Sequence, residues 1–101
     1  MRDLKGKVIA VTGAGSGIGR ALALRLDREG SLLALADKDA RGLAETCEAL
    51  KGTDGCARFV VDVSIREQVY AFASGVVNAF RRVDAVINNA GVSSPNPSPQ
   101  N

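Results

Sequence analysis

The sequence predicts an α/β fold, a small parallel sheet wound on both faces by helices, with four strands in the order 3-2-1-4. Three observations carry this. The strand-sized segments are near-continuous apolar runs, as in sheets buried on both faces. Segments of helical periodicity separate them, and the joining loops are short. Such β-α alternation implies right-handed crossovers between parallel strands.

Length and composition bound the rest. A chain of 101 residues holds one domain, and 46% hydrophobic content is enough for a core. The 13 basic and 11 acidic residues nearly balance, and no like-charge run exceeds the pair Arg81-Arg82. This argues against nucleic acid or an anionic membrane as partner. No apolar run is long enough to span a bilayer, and the first residues carry no signal-peptide pattern. The expected location is cytoplasmic. There is no histidine, so Ser-His-Asp and Cys-His nucleophile activation are excluded, with most zinc sites. No metal site is expected. Cys47 and Cys56 stand nine apart. A disulfide between them is the alternative, but with no secretory signal the expectation is two free, partly buried thiols in a reducing compartment.

The elements follow in order. Lys7 to Thr12, KVIAVT, reads as the first strand. Gly17 to Glu29 reads as a helix with a stripe of Ile18, Ala21, Leu22, Arg25 and Leu26, capped by Gly30. Ser31 to Asp37 is the second strand. Asp39 to Leu50 is the second helix, with Leu43, Cys47 and Leu50 inward, and KGTDG is a loop. Ala57 to Val63 is the third strand. Ser64 and Glu67 have the spacing of a capping box. The helix it opens runs to Phe80 with a stripe of Val69, Phe72, Ala73, Val76, Val77 and Phe80. Val83 to Asn88 is the fourth strand. Residues 1–92 form the domain. Residues 93–101 carry three prolines at alternate positions and read as a disordered tail.

The stretch VTGAGSGIGRAL joins the first strand to the first helix. That context suits a dinucleotide phosphate. Free N–H groups and the dipole of a helix N-terminus attract the anion, and glycine lets the phosphate approach the backbone. The spacing, Thr12-Gly13-x-x-x-Gly17-x-Gly19, is not that of a P-loop, because no Lys-Ser/Thr pair follows. A glycine-rich turn that merely joins strand to helix is the plainer alternative. Asp37, 24 residues after Gly13, ends the second strand. Its carboxylate suits the adenosine ribose hydroxyls, through charge-assisted bonds of about 1.5–3 kcal/mol each. It also repels the 2′-phosphate of NADP, and no basic residue stands in the glycine loop at Ser16, although Lys38 is adjacent to Asp37. NAD is therefore favoured over NADP. The alternatives for Asp37 are a solvated strand end or an N-cap of the next helix.

These glycines, with Asp62-Val63 and Asn88-Asn89-Ala90-Gly91, resemble the short-chain dehydrogenase/reductase family from about Leu4 to Val92. The resemblance implies a partial Rossmann-type fold. It implies that Gly13, Ser16, Gly17, Ile18 and Gly19 line the pyrophosphate and that Asp37 holds the adenosine ribose. It further implies that Asp62 and Val63 meet the adenine, and that Asn89, Ala90 and Gly91 lie along the cofactor near the ribose. Asn88 is expected to tie the central strands together. The family's catalytic tyrosine, followed four residues later by lysine, has no counterpart. Tyr70 is the one tyrosine, Ser74 stands four residues on, and Tyr70 is expected to pack beside Phe72 and Val69. No catalytic residue is assigned.

The expectation is thus the NAD-binding portion of an oxidoreductase, truncated before its active site and unable to transfer hydride by itself. The alternative is a non-catalytic nucleotide-binding or interaction module pairing with a full-length relative. Two helices on one face and one on the other leave an underfilled face and an open strand edge, which another chain would cover.

Overall fold

The computed structural model describes residues 4–51 and 56–89. The elements are β1 (Val8–Thr12), α1 (Gly17–Arg28), β2 (Leu32–Asp37), α2 (Ala40–Ala49), β3 (Cys56–Val60), α3 (Arg66–Phe80) and β4 (Ala85–Asn88). All strand pairs are parallel, in the order β3-β2-β1-β4. Val11 pairs with Leu35 on one side and Ile87 on the other. The predicted topology and the partial Rossmann-type fold are therefore present. The proline-bearing tail, and most of the KGTDG loop, lie outside the described residues.

Side-chain alternation divides the core into two layers. Ile9, Val11, Leu33 and Leu35 meet Ala23 and Leu26 of α1 and Leu43 of α2. On the other face Val8, Ala10, Ala34 and Ala36 meet Phe72 and Val76 of α3. Phe59 packs edge-on to Phe72, centroids 5.2 Å apart. With one helix on that second face, Val86 of β4 remains 62% exposed. The underfilled face and the open β4 edge are as expected among the described residues.

Three packing details differ from the sequence reading. In α1 the buried residues are Gly19, Ala23 and Leu26; Ile18, Ala21 and Arg25 are exposed. The helix lies so near the first loop that its smallest residues face inward. In α3 the inward line is Phe72 and Val76, half-supported by Val69 and Phe80, while Ala73 and Val77 face out. Tyr70 is 65% exposed and does not pack beside Phe72. It stands on the outer side of α3.

The expected capping box is also absent. The N-cap of α3 is Ile65, without a side-chain bond. The Ser64 hydroxyl donates instead to Asp62 Oδ1 at 2.6 Å, beside the Ser64 amide at 3.0 Å. A serine held in that turn cannot reach the helix amides. β3 ends at Val60, so Asp62 and Val63 belong to this turn rather than to the strand.

Candidate dinucleotide cleft

Parallel topology brings the carboxyl ends of the strands to one edge of the sheet, with the loops into α1, α2 and α3 side by side. A cleft of about 620 Å³ opens there, within the usual range for small-molecule sites. Gly13, Ser16, Gly17 and Ile18 line it from the first loop, Asp37 and Lys38 from the second, Val61 to Ser64 from the third, and Asn89 from the end of β4. Eight of the predicted site residues thus share one cavity. Gly19 lies behind that wall, buried. Ala90 and Gly91 lie outside the described residues.

The helix N-termini at this edge differ. The Asp39 carboxylate caps α2 by accepting from the Arg41 and Gly42 amides, both at 3.1 Å. α1 has no equivalent. Its N-cap, Ser16, makes no side-chain bond, and its first turn holds no acidic residue. The first-turn amides therefore have no partner within the helix and carry the positive end of its dipole toward the cleft.

Two glycines make this geometry possible. Gly17 has φ +56°, in the left-handed region where a side chain is strained. At Gly19 a Cβ would fall 1.9 Å from the Gly13 carbonyl oxygen, so only glycine lets α1 start so close to the end of β1. The loop is braced from two more directions. The Asn89 amide group donates to the Gly13 carbonyl at 3.4 Å. The Gly15 amide donates to Asp37 Oδ2 at 2.8 Å.

Asp37 also accepts the Asp39 amide on Oδ1, at 2.9 Å. It is therefore no cap of α2; Asp39 has that role. An ionised carboxylate offers about four acceptor positions, so Asp37 keeps capacity for donors from the cleft while its orientation is fixed. Across the cleft, the Ser64 hydroxyl and then the Ser64 amide hold the Asp62 carboxyl below its usual range, with a smaller contribution from Lys38. The Asp62 amide is fixed by Gln68 Oε1 at 2.8 Å. Ile18 and Val63, both exposed, supply apolar surface at the cleft. Asn88 accepts from the Thr12 hydroxyl at 3.0 Å, which ties β4 to β1 as expected.

The sequence reading did not single out Arg20 or Thr46. Arg20 Nη2 donates to the Gly15 and Gly42 carbonyls, and its Nε donates to Thr46 Oγ1 at 2.8 Å. The fully buried Thr46 hydroxyl donates to the Ala14 carbonyl, also at 2.8 Å. Together they clamp the glycine loop to α2. The one signal in the sequence was an arginine one residue beyond the last glycine.

Among the described residues no group of three or more acidic, cysteine or histidine side chains converges as for a metal, and no helix is long and apolar enough to cross a membrane.

Comparison with known proteins agrees with this architecture. The family model for short chain dehydrogenases matches residues 7–100. SadH of Mycobacterium tuberculosis is 46% identical over 93 residues, which are 91% of this chain and 34% of SadH. Levodione reductase of Leifsonia aquatica is 40% identical over 89 residues, 85% of this chain and 33% of that enzyme. Among solved structures, a short chain dehydrogenase/reductase from Burkholderia phymatum in complex with NAD superposes with a TM-score of 0.79 at 39% identity, covering 85% of this chain and 31% of that one. NAD+-bound xylitol dehydrogenase gives 0.79 at 35% identity, covering 84% and 33%. The chain spans about a third of the length of these relatives. With the glycine loop, the strand order and a family match over nearly all of its residues, the chain belongs to the short-chain dehydrogenase/reductase family.

Proposed function

We propose that the chain binds NAD in this cleft. The observation that carries the reading is the uncapped N-terminus of α1, open beside the fixed carboxylate of Asp37. Gly13, Ser16, Gly17, Ile18 and Gly19 hold the pyrophosphate through backbone amides and the helix dipole. Asp37 accepts from the adenosine ribose hydroxyls, and Asp62 and Val63 meet the adenine. Asn89, with Ala90 and Gly91, follows the cofactor near the ribose. NAD, when bound, supplies hydride chemistry; these residues bind and orient it. The NAD-bound relatives support the choice of cofactor. The charge of Asp37 opposes a 2′-phosphate, which favours NAD over NADP.

Hydride transfer by these 101 residues alone is not expected. Tyr70 has no lysine four residues on and stands outside the cleft. The activity belongs to an oxidoreductase of which these residues supply the cofactor-binding portion.

Calorimetry tests the binding. NAD is expected to bind at one site, more tightly than NADP, with Asp37→Ala weakening NAD. A folded chain that binds neither dinucleotide contradicts the proposal.

A second reading rests on the open β4 edge and its exposed Val86. It is a non-catalytic interaction module that pairs with a longer relative through this edge. Sedimentation of the chain alone and mixed with such a relative separates the two readings.

A further inference from the structure

The two cysteines stand on facing elements, away from the cleft. Cys47 lies in the last turns of α2 and Cys56 opens β3, where it pairs in register with Leu33. Their Sγ atoms are 3.1 Å apart, and both residues are half-buried thiols. A disulfide needs about 2.05 Å, so closure asks for about 1 Å of movement. A second cleft, of about 240 Å³, opens on the pair and is completed by Glu48 and Arg58. A thiol pair in contact, with a solvent-reachable cavity walled by a cation and a carboxylate, is more than two buried core cysteines require.

We infer that Cys47 and Cys56 form a site of reversible oxidation that reacts with a small-molecule disulfide and closes an intramolecular disulfide between α2 and β3. One thiolate of the pair attacks one sulfur of the incoming disulfide, forming a mixed disulfide and releasing one small thiol. The other cysteine then attacks the protein sulfur of that mixed disulfide, the mixed disulfide breaks, and the second small thiol leaves. The two protein thiols lose two electrons and two protons, and the small disulfide gains them as two thiols. Burial, followed by the contact with Cys47, pushes the Cys56 thiol up to about 12. That contact between the two sulfurs is the one the disulfide replaces. Arg58 and Glu48 put one charge of each sign on the wall, which suits a disulfide carrying both carboxylate and ammonium groups, such as oxidised glutathione.

The test is intact-mass analysis of the folded chain after equilibration in mixtures of oxidised and reduced glutathione, with remaining thiols alkylated. The expected result is joint loss of both thiols with no retained glutathione, reversed by a reductant. Cys56→Ser and Cys47→Ser are each expected to keep one glutathione as a mixed disulfide on the remaining cysteine, because neither variant has the second thiol that resolves it. Wild-type chain that retains a stable glutathione adduct, or keeps both thiols alkylatable in fully oxidised glutathione, overturns the inference. The decisive reading is on the wild-type protein, so it stands whether or not the serine variants fold.

Discussion

The Gly15 amide donates to Asp37 Oδ2 at 2.8 Å, joining the glycine loop to the end of β2. The carboxylate proposed to hold the ribose therefore also shapes the loop proposed to hold the pyrophosphate. Replacing Asp37 with alanine removes both contributions. Loss of even one hydrogen bond to a charged group, about 1.5–3 kcal/mol, lowers NAD affinity roughly 10- to 150-fold, so a fall of at least about 10-fold is expected. Asp37→Asn removes the charge and keeps one of the two oxygens that accept the Gly15 and Asp39 amides, so the preference for NAD over NADP should narrow. Calorimetric titration of both variants checks the two effects separately.

Gly19 and Gly17 should respond differently to alanine. At Gly19 the new Cβ meets the Gly13 backbone, which cannot swing aside. A destabilisation of about 1–3 kcal/mol is expected from the forced backbone shift. At Gly17 nothing stands within 4 Å, so the cost is the left-handed backbone alone, about 1–2 kcal/mol. In binding, however, Gly17→Ala puts a methyl group at the cleft and should weaken NAD. Urea denaturation, with NAD titration of each variant, distinguishes these contributions.

The Thr46 clamp should appear in stability. Thr46→Val leaves the Ala14 carbonyl and the Arg20 Nε without their 2.8 Å partner. Loss of a buried hydrogen-bond partner costs about 1–3 kcal/mol. Urea denaturation is expected to show a loss in that range, with amide exchange accelerated in the glycine loop.

Acid should loosen the start of β1. Asp84 accepts the Val8 amide at 2.8 Å and pairs with Arg82 at 2.6 Å. The Arg82 bond, then the Val8 amide, with smaller contributions from the Arg82 and Lys7 charges, hold its carboxyl below the usual range. A group whose folded value is depressed contributes stability that is complete above its unfolded pKa, about 3.9, and is lost as pH falls through the folded value. Stability is therefore expected to decline below about pH 4, with Asp62 acting in the same direction. Asp84→Asn should flatten that decline, as measured by thermal melts across the acid range.

The strand order, the helix count and the gathering of Gly13, Asp37, Asp62 and Asn89 at one edge were legible in the sequence. Buried parallel strands and glycine positions leave a strong local signature. The inner face of α1 was not. Periodicity counting favours large apolar residues, and here the helix approaches so closely that Gly19 and Ala23 face inward. Ser64 was misread because Asp62 competes for its hydroxyl, a choice that depends on three-dimensional placement. Arg20 and Thr46 escaped notice because 26 residues separate them. Their pairing exists only once α1 and α2 lie side by side.

The most direct test is amide chemical-shift mapping of the labelled chain as NAD is added. The account predicts that the largest shifts fall on the amides of Gly13 and Ser16 to Gly19, with further shifts at Asp37, Asp62 and Val63. Binding that leaves the first turn of α1 unmoved, or the absence of any shift with a folded chain, would contradict it.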